Sequence, residues 1–213
     1  MVYLVTAIVA YFLGSIPTGY LVAKAKGIDI RSVGSGNIGA TNVFRILGKG
    51  PGIFVLSVDA LKGFLAVGLV ANLVWQFLGD QAAGGNDIRH HLKIVAGICA
   101  VLGHNYTCWL KFKGGKGIAT SAGVLIGLVP YAFLVALATW LIVFFASKYV
   151  SLASILAAVV LPFATWQLHG RTSLIVITTV MSVLAIYKHR ANIQRLRAGT
   201  ENRIGGNKTK PPA

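Results

Sequence analysis

GSGNIG, residues 34–39, has the glycine spacing of a turn that holds a dinucleotide pyrophosphate, and Asp59 follows Gly39 by about 20 residues, where such folds place a ribose-binding acid. That mechanism needs a strand before the glycines, a helix after them and a parallel sheet around both. What precedes them is MVYLVTAIVAYFLGSIPTGYLVA, residues 1–23, an apolar run long enough to cross a hydrocarbon core of about 30 Å. It has neither the basic start nor the small-residue cleavage site of a signal peptide, so it reads as a retained helix. Asp59 falls inside the next apolar run. The dinucleotide reading therefore has no strand and no ribose-facing loop, and the glycines belong to a loop beside a membrane helix.

Composition extends this to the whole chain. Of 213 residues 55% are hydrophobic and 12% charged, against roughly 25% charged in an average soluble domain. Apolar stretches recur near 52–72, 92–110, 118–147, 150–168 and 172–188, with no linker that separates a second domain. The expectation is one all-α domain over 1–213, a polytopic membrane helical bundle. Cys99 and Cys108 are nine residues apart, a spacing that suits neither a disulfide nor a metal site, and they read as buried small residues.

Charge gives the sidedness. Of 20 Lys and Arg, five lie between Lys24 and Lys49, three between Lys111 and Lys116, one at Lys148 and seven from Lys188 to Lys210. The segment holding Asp80, Asp87, Arg89 and Lys93 and the turn at Arg171 are cation-poor. By the positive-inside rule the rich segments are cytoplasmic and the N-terminus external. An even number of crossings must then separate the 111–116 loop from the basic C-terminus. One helix over 118–147 gives an odd number. It is also too long for a simple span, and Gly127 and Pro130 interrupt it. Splitting it gives a short helix near 118–129 and another near 131–147, hence seven transmembrane helices. The short one, about 18 Å at 1.5 Å per residue, needs shelter from its neighbours.

Three polar stretches then share the cytoplasmic face. RSVGSGNIGATNVFRILGKG, residues 31–50, carries Ser35, Gly36, Asn37, Thr41 and Asn42 before an amphipathic segment that suits an interfacial helix, with Arg45 one turn on. Converging backbone N–H groups at its start make an anion site without a dinucleotide fold. GHNYTCWLKFKGGKGIATSAG, residues 103–123, fails the P-loop pattern because Leu110 and Gly117 occupy the required glycine and Ser/Thr positions. It still sets Gly114, Gly115, Lys116 and Gly117 ahead of a helix whose first turns carry Thr120 and Ser121. His104 stands just before it. YKHRANIQRLRAGTENRIG, residues 187–205, puts His189 and Asn192 on one helical face, while Arg190, Arg195 and Arg197 suit substrate, anionic lipid or topology. Asp59 and Lys62 are spaced as a pair within helix two and read as a structural ion pair supporting the site. His90 and His91 lie in the external segment, away from the rest.

Many cations, glycine-bounded helix ends and hydroxyls with almost no carboxylates suit anions. They suit magnesium poorly, since the only acidic residues in the cytoplasmic loops are Asp29 and Glu201, so no metal and no cofactor is expected. No G-x-S-x-G elbow is present, and Cys108 with nearby His104 is the one weak candidate for covalent chemistry. An organic-anion or phosphate transporter also needs cations among broken helices, but no internal repeat is evident and the polar groups crowd one face.

VGSGNIGATNVFR, GHNYTCWLKFKGGKGIATS and HRANIQRLRAGTENRIG resemble the three cytoplasmic motifs of the bacterial acyl-phosphate-dependent glycerol-3-phosphate acyltransferases. The resemblance runs from GSIPTGYL near the start to the last motif and includes DALKG in helix two and SLAS near 151. It implies transfer of a fatty acyl group from acyl phosphate to the 1-hydroxyl of sn-glycerol 3-phosphate, at the cytoplasmic face of the bacterial plasma membrane. It implies no nucleic acid and no obligatory protein partner. Carried over by residue, Ser35, Gly36 and Asn37 contact phosphoryl groups, Arg45 holds glycerol phosphate, and His189 and Asn192 orient it. Lys116 and the backbone around Ser35 stabilise developing charge, so Ser35, Lys116 and His189 form the catalytic set. Thr41, Asn42, His104, Gly114, Gly115, Gly117, Thr120 and Ser121 complete the expected substrate contacts.

Overall fold

A computed structural model describes residues 1–79 and 85–205. Asp80 in the expected external segment, and Lys208 and Lys210 in the basic tail, lie outside the described residues. Among the described residues all regular structure is helical.

The first apolar run is not one helix. It forms α1 (Val2–Ser15) and α2 (Thr18–Lys24), broken at Ile16 and Pro17 because proline supplies no N–H to the ladder. Backbone carbonyls freed inside a membrane need donors. The Ser15 carbonyl accepts from Thr107 Oγ1 at 2.6 Å and the Ile16 carbonyl from Lys62 Nζ at 2.9 Å. A loop leads to the amphipathic α3 (Ala40–Leu47), then α4 (Lys49–Leu65), a wider turn over Ala66–Val70 and α5 (Ala71–Leu78). After α6 (Gly85–Asn105) and a short turn at Cys108–Leu110 come α7 (Ile118–Leu128) and α8 (Pro130–Ser147). The expected split falls in place, with Pro130 opening α8, where its missing N–H costs nothing. The chain continues through α9 (Val150–His169), α10 (Thr172–Lys188) and α11 (Arg190–Arg197).

Among the described residues four helical segments are long and apolar enough to cross a membrane: Val2–Lys24, Lys49–Leu78, Pro130–Ser147 and Val150–His169. Thr172–Lys188 joins Arg190–Arg197 across a 55° bend as a fifth. The other two of the expected seven are present as helices of another kind. α6 starts with polar residues, and α7 has 11 residues, about 16 Å.

Small residues set the packing. A Cβ at Gly14 would overlap the Ala100 backbone and one at Gly103 the Tyr11 carbonyl, so α1 and α6 touch backbone to backbone. Gly63 against the Thr120 carbonyl and Gly123 against the Ala60 carbonyl do the same for α4 and α7. Where lipid gives no hydrophobic drive between helices, such close approach supplies the contact energy. It also buries α7 among α4, α6 and α8, as its short span requires. α8, α9 and α10 pack in sequence as a second group around Leu161, Leu174 and Ile177. Outward faces carry apolar residues such as Leu134, Ile142, Phe145 and Phe163, as lipid contact demands.

One end of the bundle gathers the basic loops. Lys116 Nζ donates to Asn192 Oδ1, Lys188 Nζ to the Asn105 carbonyl at 3.1 Å, and Ile204 N to the Lys148 carbonyl at 3.0 Å. Arg31 lies over the Tyr20 ring, Lys188 over Tyr106 and Arg203 over Tyr149, an interfacial belt of cations on aromatic faces.

Candidate active site

The glycine loop is organised by Asn42. Its Nδ2 donates to the carbonyls of Ile30, Val33 and Asn37 at 3.0–3.2 Å, and its Oδ1 accepts from Ser35 N at 2.9 Å. Gly34 has φ +61°, and a Cβ there would overlap Asn42 Oδ1, so glycine is required. Two expectations change. Asn42 has spent its amide on the loop and serves it as scaffold. The Ser35 N–H is likewise taken, which leaves its hydroxyl, not its backbone, for a ligand. Asn37 Oδ1 caps Gly39 N at 2.8 Å, and Gly39, Ala40 and Thr41 open α3 towards the cavity described below.

The second loop folds back on the end of α6. Gly114 N donates to the Asn105 carbonyl at 3.2 Å and Gly115 N to the His104 carbonyl at 3.0 Å. A Cβ at Gly114 would overlap the His104 carbonyl and one at Gly115 the His104 ring. These two glycines therefore let the loop lie flat and do not line the cavity, and nor does Gly36. Gly117, at φ +79°, turns the chain into α7 and presents Lys116 inward. Thr120 does not line the cavity; it is fully buried, and its Oγ1 has no hydrogen-bond partner among the described residues. Ser121 does face the cavity.

At the junction of α10 and α11, His189 Nδ1–H donates to the Ala185 carbonyl at 2.8 Å, which leaves Nε2 as the ring's acceptor. Asn192 links the loops: its Oδ1 takes Lys116, and its Nδ2 donates to Glu201 Oε1 at 2.7 Å. Glu201 also accepts from Ser151 Oγ at 3.0 Å and Arg195 Nε at 2.7 Å. Behind this group lies a buried cluster. Lys62 Nζ sits 2.8 Å from Asp59 Oδ1 and 3.0 Å from His104 Nδ1, and Thr18 Oγ1 donates to Asp59 at 3.1 Å. The Asp59–Lys62 pair is the support the spacing anticipated. It also pins His104, which reaches the cavity wall with its Nδ1 already engaged.

All of this surrounds one cavity of about 490 Å³. Its polar end holds Ser35, Asn37, Arg45, Lys116, His189 and Asn192, and the first residues of α3, α7 and α9 line it. Three helix N-termini and the cations favour anions. The other end passes between α7, α8, α9 and α10 and is apolar, lined by Leu125, Phe133, Ala136, Trp140, Leu161 and Met181. Ile126 and Leu137, both cavity-lining and exposed, open it sideways towards lipid. Burial pulls the Lys116 ammonium down to about 8 against the opposing pull of Glu201, with Arg195 and Arg45 adding to the fall. Burial and Lys116 bring His189 down to about 4, so its ring is neutral at physiological pH.

The family model for glycerol-3-phosphate acyltransferase matches residues 4–199. This chain belongs to the glycerol-3-phosphate acyltransferase family. Relatives of that description include one from Geotalea daltonii, 47% identical over 93% of this chain and 96% of its own. Another, from Geobacter metallireducens, is 52% identical over 92% and 94%. The crystal structure of PlsY, described as an integral membrane glycerol 3-phosphate acyltransferase in its glycerol 3-phosphate form, superposes with a TM-score of 0.83 at 40% identity, over 95% of this chain and 96% of that one. Its lysophosphatidic acid form superposes with a TM-score of 0.80 at 39% identity, over 95% of each chain.

The residue of the acyltransferase that sequence reasoning passed over is Glu201, weighed only as a metal ligand. Its signal was its isolation, one of five acidic residues and the only one within the third cationic stretch. Because Glu201 holds Lys116 in its charged form, Glu201→Gln is expected to lower the Lys116 pKa further. An alkaline fall of kcat/KM is expected near pH 8 in the wild type, where Lys116 loses its proton, and in the variant it should move to lower pH. At pH 6 the variant should stay within roughly tenfold of wild type, the scale of one charge-assisted bond. An alkaline limb that does not move separates Glu201 from Lys116.

Proposed function

We propose that this enzyme transfers a fatty acyl group from acyl phosphate to the 1-hydroxyl of glycerol 3-phosphate, giving lysophosphatidic acid and inorganic phosphate. The observation that carries the reading is the continuity of the cavity, with a cationic end built for two phosphates joined to an apolar channel that opens to lipid. Ser35, Asn37 and the α3 terminus take phosphoryl groups, Arg45 holds glycerol phosphate, and Asn192 and His189 Nε2 align its hydroxyl. The hydroxyl oxygen attacks the acyl carbon, Lys116 offsets the charge that develops, and the bond from carbonyl carbon to phosphate oxygen breaks. The departing phosphate accepts the hydroxyl proton. Alignment and preorganised charge supply most of the acceleration, since acyl phosphate is already activated.

The same reading places the polar end on the cytoplasmic face of the bacterial inner membrane, with seven crossings, an external N-terminus, a cytoplasmic C-terminus and no obligatory protein partner. The basic loops at that end support it. Cysteines introduced at Lys113 and Ala198 should both be labelled only from the cytoplasmic side of intact cells. Labelling from opposite sides contradicts the crossing number.

The direct test of the donor compares purified enzyme given glycerol 3-phosphate with palmitoyl phosphate, palmitoyl-CoA or palmitoyl-acyl carrier protein. Lysophosphatidic acid is expected from the acyl phosphate alone. Equal turnover with either thioester overturns the donor.

A further inference from the structure

At the end of the bundle away from the cavity, α6 and α10 frame an open groove of about 370 Å³. Its walls are apolar: Ile94, Val95 and Ile98 from α6, and Val176, Ile177 and Val180 from α10. It runs inward from His91 and Thr172 for seven residues of α6, about 10 Å. His90 Nε2 meets Ser173 Oγ at 3.2 Å and so ties α6 to α10 beside it. Arg171, His91 and Lys93 lie close enough to His90 to act on its charge, and among the described residues Asp87 is the one carboxylate that does so. Arg89 turns away to Asn72 Oδ1 at 2.9 Å. Among the described residues neither Arg171 nor Lys93 has an ion pair.

These cations are not topology signals, because they stand on the cation-poor end of the molecule, against the bias that sets orientation. Positive charge without an ion pair among the described residues, at a membrane interface and beside an apolar groove, matches a ligand with an anionic head and an acyl tail. We infer that this groove binds one anionic phospholipid of the adjoining leaflet, with a chain along Val95 and Val176 and its phosphate between Arg171 and Lys93. The site is separate from the catalytic cavity and does not depend on the acyl donor.

The test uses the full-length enzyme in detergent, titrated with phosphatidylglycerol or phosphatidylcholine of matched chains and read by native mass spectrometry, with activity as the check on folding. Wild type is expected to bind phosphatidylglycerol in preference. The double variant Arg171→Gln, Lys93→Gln should lose about fivefold per cation, roughly 25-fold together, with phosphatidylcholine binding and activity unchanged. Val176→Trp fills the groove while leaving both charges, so it should weaken both lipids in an enzyme that remains active. Equal binding of the two lipids by wild type overturns the proposal, as does phosphatidylglycerol preference that survives the double variant. Unchanged affinity in active Val176→Trp also overturns it, as does a disulfide dimer formed through cysteines placed at Ile94 and Val180, which would mean that a second copy fills the groove.

Discussion

Lys116→Ala is expected to lower kcat by roughly 10² to 10³-fold, the scale of deleting a preorganised electrostatic donor. Lys116 sits at the cavity's polar end, its ammonium held by Asn192 and offset by Glu201 beyond. Burial depresses its pKa to about 8, so below that pH it is a desolvated cation whose field is little screened by water. The charge that grows on the acyl oxygen and leaving phosphate is what it stabilises, so the loss should fall on kcat more than on KM. Lys116→Arg keeps the charge with a different shape and should recover part of the rate. A loss confined to KM, with kcat intact, would assign Lys116 to ground-state binding.

Arg45→Ala is expected to act on the other parameter. Arg45 is half-buried in the last turn of α3, where it lines the cavity's polar end within reach of Glu201 and Arg195. Removing a guanidinium that pairs with phosphate costs about 2 to 5 kcal/mol, so the KM for glycerol 3-phosphate should rise from roughly 30-fold to several thousandfold. Inhibition by free phosphate should weaken in parallel, because it competes for the same cation. An unchanged KM removes Arg45 from the acceptor site.

Much of this architecture was legible because membrane constraints are severe. The helix break between Leu128 and Pro130 follows from proline chemistry and crossing parity, and it appears where both placed it. The convergence of Ser35, Arg45, Lys116, His189 and Asn192 followed from sidedness and motif resemblance together. What escaped depended on contacts with no local pattern. Lys62 serves the Ile16 carbonyl only because Pro17 breaks the first helix, and nothing in the spacing of Asp59 and Lys62 reports that third partner. Asn42 and Asn37 look alike in sequence. The fold of residues 27–39 alone decides that the first is consumed by three carbonyls while the second keeps its Nδ2 free of them. Gly115 reads as a phosphate-loop glycine, yet its lack of a side chain serves contact with the His104 ring. Glu201 lies past the last helix, where no periodicity points to a partner.

The central claim is that charge and alignment carry this reaction and no protein side chain is an obligatory base. Burial and Lys116 hold His189 near a pKa of about 4, which makes its free Nε2 a hydrogen-bond acceptor and a weak base at neutral pH. The decisive measurement is the pH–rate profile of wild type and His189→Gln with saturating donor. Measurable turnover in His189→Gln is expected, together with a wild-type profile lacking an acid limb near neutral pH. An acid limb near neutral pH in the wild type that vanishes in His189→Gln, with nearly all activity, would make His189 the catalytic base and contradict the account.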